Sequence, residues 1–329
     1  MLRSNAVYLC IAMAAWAVVA TAGERLQSPD SSATIPVRDK LVGKFQNGFL
    51  VTSDVPGEGI SQVYAYNRSG AQTMQVKLAF SGASRVDVHD FTVSPGGIIG
   101  VSGVAYTSDG AYSTFLAWIS ADGKIQRVVR VSPFSPRRLS FASDGSLWVA
   151  GTAQTPARLE DPSYDVLRRY DSTGHLLGSS LPRSSFSMST LSHRSPAANA
   201  FLVPLPDRMG FYSPSEQTWI EVGAAGPVIL RTAAMDAGVF GAASSRGKVR
   251  VTGAAALASG RAYISTVAPD GSGKDQPAIY RVDTSTPNWQ RVDASAVLPP
   301  GRNGWIAGAD GERLVIMNGA GQVWWAGIQ

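Results

Sequence analysis

Apolar and polar residues alternate with a period of two along most of the chain, and Gly, Asp, Asn and Ser clusters break the runs. That pattern predicts half-buried strands joined by tight turns. One unit recurs: an alternating strand, a polar corner with Gly, then another strand. It reads Val63-Tyr-Ala-Tyr-Asn-Arg-Ser-Gly70, Leu116-Ala-Trp-Ile-Ser-Ala-Asp-Gly123 and Leu167-Arg-Arg-Tyr-Asp-Ser-Thr-Gly174, the glycines lying 53 and 51 residues apart. Asp or Asn near Gly supplies the positive-φ corner of a hairpin. Weaker copies start at Met209, Ile279 and Leu314, making six.

A second marker is a Gly turn followed by an apolar strand. It occurs at Asn47-Gly48, Gly96-Gly97, Asp144-Gly145, Arg246-Gly247 and Asp310-Gly311, with a degenerate copy near Ala198-Asn199-Ala200. Steps of 49, 48 and 102 residues hold the register, and the last step of 64 implies an insertion. Its expected place is Gly260 to Gln276, a surface excursion in the fifth unit, because Asp270-Gly-Ser-Gly-Lys-Asp275 has loop chemistry.

Two markers in phase at about 50 residues imply four-stranded sheets repeated around an axis. The expectation is an all-β chain, a β-propeller of six blades with seven as the alternative. Residues 33–329 would form a single domain, preceded by a flexible stretch at 23–32. The last unit offers three strands and then stops, so Thr34 to Arg38 is expected to pair with Gln322 to Gly327 and close the last blade. Pro36 suits an edge strand, where a missing N–H faces solvent. The best-preserved unit, Phe141-Ala-Ser-Asp-Gly-Ser-Leu-Trp-Val-Ala-Gly-Thr152, resembles the repeats of NHL, streptogramin-lyase-like and two-component-regulator propellers, which share a D-G-x-hydrophobic-W-hydrophobic pattern. The resemblance implies a propeller fold and selects no one family.

The N-terminus changes the picture. Arg3, the apolar run Val7 to Ala20 and the small-x-small pattern Ala20-Thr21-Ala22 predict a signal peptide at 1–22, cleaved before Gly23. The run is too short to span a bilayer, so no membrane span is expected in the mature chain. Cys10, the only cysteine, would leave with it, which excludes disulfides and thiolate sites. A bacterial periplasmic or secreted location follows as an expectation.

Of the 329 residues, 16% are charged, and the net charge is +5, or +4 without Arg3. The basic residues are scattered, with tight pairs only at Arg137-Arg138 and Arg168-Arg169, so nucleic acid is not an expected partner. No catalytic motif, metal-ligand pattern or cofactor fingerprint emerges.

Among three histidines, His89 stands out because His89-Asp90 matches Arg137-Arg138 one blade later, with Arg302 in the last unit. His89, Asp90, Arg137, Arg138 and Arg302 are therefore candidates for an anion-binding channel mouth; an inter-blade salt-bridge network is the plainer alternative. His175 is expected to be exposed, and His193 has no clear strand phase. The tryptophans are expected to pack between blades, except that one of Trp324 and Trp325 could be exposed, since adjacent strand residues face opposite ways.

These features suggest an exported, monomeric, non-catalytic binding or scaffold protein that presents loops to a protein, peptide or glycan. The alternative is a propeller enzyme of lyase or lactonase type with an axial site.

Overall fold

The computed structural model describes residues 23–36, 43–55, 57, 59–154, 161–186, 197, 199–214, 218–223, 229–234, 250–269, 275–282, 289–299 and 303–329, with only the backbone described at 229–234. Residues 1–22, with the expected cleavage site, His193 and Arg302, lie outside them.

Among the described residues the chain is all β apart from one short 3-10 turn. After an initial strand β1 (Ser31–Thr34), the strands follow in meanders. The first group is β2 (Lys44–Gln46), β3 (Phe49–Ser53), β4 (Gln62–Tyr66) and β5 (Gln72–Lys77). The second is β6 (Arg85–Val93), β7 (Ile99–Tyr106), β8 (Tyr112–Ile119) and β9 (Ile125–Arg130). The third is β10 (Phe134–Phe141), β11 (Leu147–Ala153), β12 (Asp165–Tyr170) and β13 (Leu176–Pro182). The fourth is β14 (Phe201–Pro204), β15 (Arg208–Ser213), β16 (Thr218–Gly223) and β17 (Ile229–Ala234). The fifth is β18 (Arg250–Ala256), β19 (Ala262–Pro269), β20 (Asp275–Val282) and β21 (Gln290–Val292). The last is β22 (Trp305–Asp310), β23 (Arg313–Met317) and β24 (Gln322–Gly327), with β1 as its outer strand.

The hairpin reading holds where the sequence signal was strong. Gly70, Gly123 and Gly174 have φ of 82°, 84° and 80°, and each donates its N–H back to the carbonyl three residues earlier. At these corners Asn67 and Asp171 also accept backbone N–H bonds through their side chains, the local bonding that favours such residues in turns.

Apolar side chains on both faces of these sheets are buried in clusters shared by consecutive groups. Val51 and Val63 meet Val86 and Phe91, Leu116 and Trp118 meet Phe134 and Leu139, and Ala150 and Leu167 meet Phe211. Tyr212 and Trp219 meet Ile264 and Trp289, and Tyr263 meets Ile316 and Trp324. A further cluster joins the last group to the first through Val315, Trp325, Phe45 and Tyr66. This β-propeller-like arrangement gives both faces of each sheet a neighbour. Trp324 and Trp325 are consequently both buried, at 8% and 3% exposure, on opposite faces of β24. An exposed tryptophan at this pair requires a sheet with one solvated face, which β24 does not have.

Of the weaker repeat copies, the one at Ile279 marks a third strand, β20, and the other two slipped by one strand. Met209 lies on β15 and Leu314 on β23, both second strands, whereas the strong copies mark third strands. Likewise the turn ahead of the fifth group's second strand is at Gly260 (φ 83°), not Gly247. The proposed excursion from Gly260 to Gln276 is therefore mostly β19, with Tyr263 and Ile264 fully buried; only 270–274 lie outside the described residues.

The N-terminal strand pairs with the expected partner, three residues earlier than expected: Ser31↔Trp325 through Thr34↔Gln322, antiparallel. Ile35 still donates its N–H to Gly321, and Pro36, with no N–H, follows the strand. Residues 37 and 38 lie outside the described residues. The stretch read as a flexible lead also makes contacts. Arg25 bridges Asp293 and Leu26 bridges Ile328, so residues 25 and 26 run between the fifth and last groups. Glu24 accepts from Arg281 at 2.9 Å, Arg261 at 3.3 Å and the Tyr263 hydroxyl at 3.1 Å.

A chain starting at Ile35 loses these pairs and the burial of Leu26. In urea denaturation it should lose stability on the order of several kcal/mol relative to a chain starting at Gly23. An unchanged midpoint would show that this segment is dispensable.

Candidate functional site

The candidate site is built by a defect that recurs in the first strand of the second, third, fifth and last groups. Pairing of β6 with β7 skips from Val88 to Asp90, and that of β10 with β11 skips from Pro136 to Arg138. The same skip occurs at Val251/Gly253 in β18 and at Ile306/Gly308 in β22. Each is a β-bulge, which leaves one residue out of the ladder and re-aims its side chain. The extra residues are His89, Arg137, Thr252 and Ala307. The sequence alignment of His89-Asp90 with Arg137-Arg138 is thus a true structural equivalence.

The residue after each bulge meets the next group. Asp90 Oδ2 accepts the Leu139 N–H at 2.7 Å, and Arg138 Nε donates to the Ala200 carbonyl at 2.7 Å. At the other two bulges this residue is glycine because the next backbone is too close for a side chain. A Cβ on Gly253 would lie 2.0 Å from the Ile306 oxygen, and one on Gly308 1.8 Å from the Phe45 oxygen.

Asp90 is therefore committed to the seam. It also pairs with Lys44 from β2 at 2.6 Å, and Lys44 Nζ reaches the Leu139 carbonyl at 3.4 Å. For this residue the plainer sequence alternative, a salt-bridge network between blades, describes the geometry. Gln46 continues the stitching, its Oε1 accepting from Val93 N at 2.9 Å and from Thr92 Oγ1 at 2.5 Å.

Lys44 was missed from the sequence; its signal is a lone Lys at the start of the first inner strand. Its side chain keeps 28% of its surface accessible, yet burial is the main reason its pKa is lowered, opposed by Asp90 and reinforced by Arg138. Arg137 fits the same description: it is exposed, yet burial and then Arg138 lower its pKa.

His89 Nδ1 lies 3.2 Å from the Pro136 carbonyl of the next group. Burial lowers the His89 pKa, Arg137 lowers it further, and the Pro136 carbonyl, Asp87 and Asp90 act in the other direction. The structure thus brings His89, Asp90, Arg137 and Arg138 together. Arg302 is outside the described residues, and His175 is exposed at a turn beside Asp171, as expected. Among the described residues no three His, Cys, Asp or Glu side chains converge as metal ligands, and no helix is long and apolar enough to cross a membrane.

No protein-family model matches the chain, and no curated protein matches it by sequence. The resemblance to NHL-type repeats therefore stands on residues 141–152 alone. Among solved structures, a Hadza microbial sialidase aligns with a TM-score of 0.49 and 11% identity over 93% of this chain. The chain spans 65% of that protein's length. A glucose dehydrogenase aligns with a TM-score of 0.37 and 9% identity, over 77% of this chain and 99% of the other. At these values neither likeness carries an argument about activity.

Two outcomes follow from this geometry. Asp90→Asn leaves Lys44 without its counter-charge and should cost about 2–3 kcal/mol in chemical denaturation, part of it recovered in Lys44→Met/Asp90→Asn. A neutral single substitution would contradict the seam role. For His89, a folded pKa below the unfolded value means the unfolded chain binds the proton more readily, so acidification through the ordinary His range should lower stability. His89→Gln should flatten the dependence of melting temperature on pH between about 7 and 5; an unchanged slope would assign that dependence elsewhere.

Proposed function

We propose that the chain is an exported six-bladed β-propeller that acts as a non-catalytic binding protein, presenting its inner-strand ends and loops to a protein, peptide or glycan. Six groups of four strands support the blade number, the first and last of them joined in one eight-stranded sheet and the last completed by β1. So does the cluster that packs the last group on the first, where Phe45 and Trp325 meet edge to face at 5.6 Å. The strand β1 then acts as the closure that ties the two ends of the chain together.

The observation that carries the binding reading is the division of labour at the bulges. The residue after each bulge is spent on the seam, while at the second and third groups the bulged residue, His89 or Arg137, keeps polar atoms on a rigid scaffold that a ligand can use. Export rests on the N-terminal sequence pattern. The lyase or lactonase alternative, with His89 and axial carboxylates, would need Asp90 free; its Oδ2 is taken by Lys44 and Leu139.

The purified mature chain should retain members of a peptide and glycan array and release them chemically unchanged, as read by mass spectrometry of the eluted ligands. Turnover of a retained ligand would replace the binding reading with the enzyme one. Absence of any retention would remove both.

A further inference from the structure

We propose that His89 and Arg137, on equivalent bulges of neighbouring strands, form a site for a carboxylate that carries an adjacent hydroxyl group, as in an acidic sugar. This deepens the binding reading above and rests on it.

Charge balance gives the first argument. The carboxylates near these bulges are engaged: Asp90 with Lys44 and Leu139 N, and Asp87 with Arg85 at 3.1 Å and Gly57 N at 2.9 Å. The Arg137 side chain has no hydrogen bond or acidic partner among the described residues, and the titratable groups that act on it most are one cation, Arg138, and one tyrosine, Tyr106. Arg138 spends Nε on Ala200 and Nη1 on the Arg137 carbonyl. A guanidinium without an acidic partner, with a second arginine beside it, favours an oxyanion. A planar guanidinium matches a planar carboxylate in two parallel bonds.

The imidazole gives the second argument. A carbonyl only accepts, so the His89 Nδ1 that faces Pro136 carries the proton. In the neutral ring Nε2 is then an acceptor, and the site's own environment favours the neutral ring. Arg137 therefore calls for a negative group and His89 for a hydroxyl donor beside it. The corresponding positions on β18 and β22, Thr252 and Ala307, are uncharged. The charged and titratable bulge residues are thus confined to the second and third groups.

The test is calorimetric titration of the mature protein with glucuronate, with glucose as the uncharged match and inorganic phosphate as a different oxyanion. Saturable glucuronate binding is expected, with glucose at least tenfold weaker. Arg137→Gln should weaken it at least tenfold. His89→Leu should weaken it, while His89→Gln, which keeps an acceptor, should restore most of it. Arg130→Gln on the outer strand β9 should leave it unchanged. Three results would overturn the site: no saturable glucuronate binding, affinity indifferent to Arg137, or binding of phosphate in preference to glucuronate. Array retention that persists in a protein indifferent to glucuronate would overturn this inference alone and leave the binding reading standing.

Discussion

The inner-strand seam is the contact on which the rest of the structure depends. A bulge interrupts the first strand of the second, third, fifth and last groups, and the residue that follows it anchors each of these strands forward to the next group. Four versions of that anchor are visible. Asp90 uses a carboxylate on a backbone N–H, Arg138 uses a guanidinium on a carbonyl, and Gly253 and Gly308 remove the side chain so that backbones can touch. The chemistry differs and the position is the same. Gly308 sits where β22 meets Phe45 of β2 in a parallel bridge, so the join between the end of the chain and its beginning uses the same place.

The seam explains why the polar residues lie where they do. Sheets with a neighbour on each face have no solvated face on which to place polar groups, so aromatic residues such as Trp219 and Tyr263 disappear into the clusters. Burying so much apolar surface is the main source of stability. Polar chemistry is left to the hairpin corners, to the outer strands and to the inner ends. At the inner ends groups from several sheets converge, which is why Lys44, His89, Arg137 and Arg138 meet there although 94 residues separate the first from the last. A bulge costs the strand one ladder position and frees one side chain at a fixed place.

The legibility of the chain in its own sequence was uneven, for reasons that particular residues show. Strong hairpins at Gly70, Gly123 and Gly174 were readable because a positive-φ corner restricts residue choice. In the later groups the pattern of an apolar strand ending in Gly has two physical origins. Gly151 lies on a second strand beside Ser135 and Phe134 of its own sheet, whereas Gly253 lies on a first strand against the next one. Identical local pattern with different partners produced the slip at Gly247. The match of His89-Asp90 with Arg137-Arg138 succeeded because both bulges sit at the same distance from their turns. Lys44 had no such counterpart and stayed invisible.

The sequence by itself determined the strands, the corners between them and the period near fifty, because alternation and turn stereochemistry are local and act on residues a few positions apart. It also contained the pairing of the N-terminal strand with β24, since an unmatched edge leaves one obvious partner. Tertiary structure decided the register of that pair, the burial of both Trp324 and Trp325, and the division between Asp90 and Arg137. Those outcomes depend on which backbone lies across the seam, and a carboxylate cannot be told from a seam acceptor until the N–H it faces, Leu139 on the following sheet, is in place.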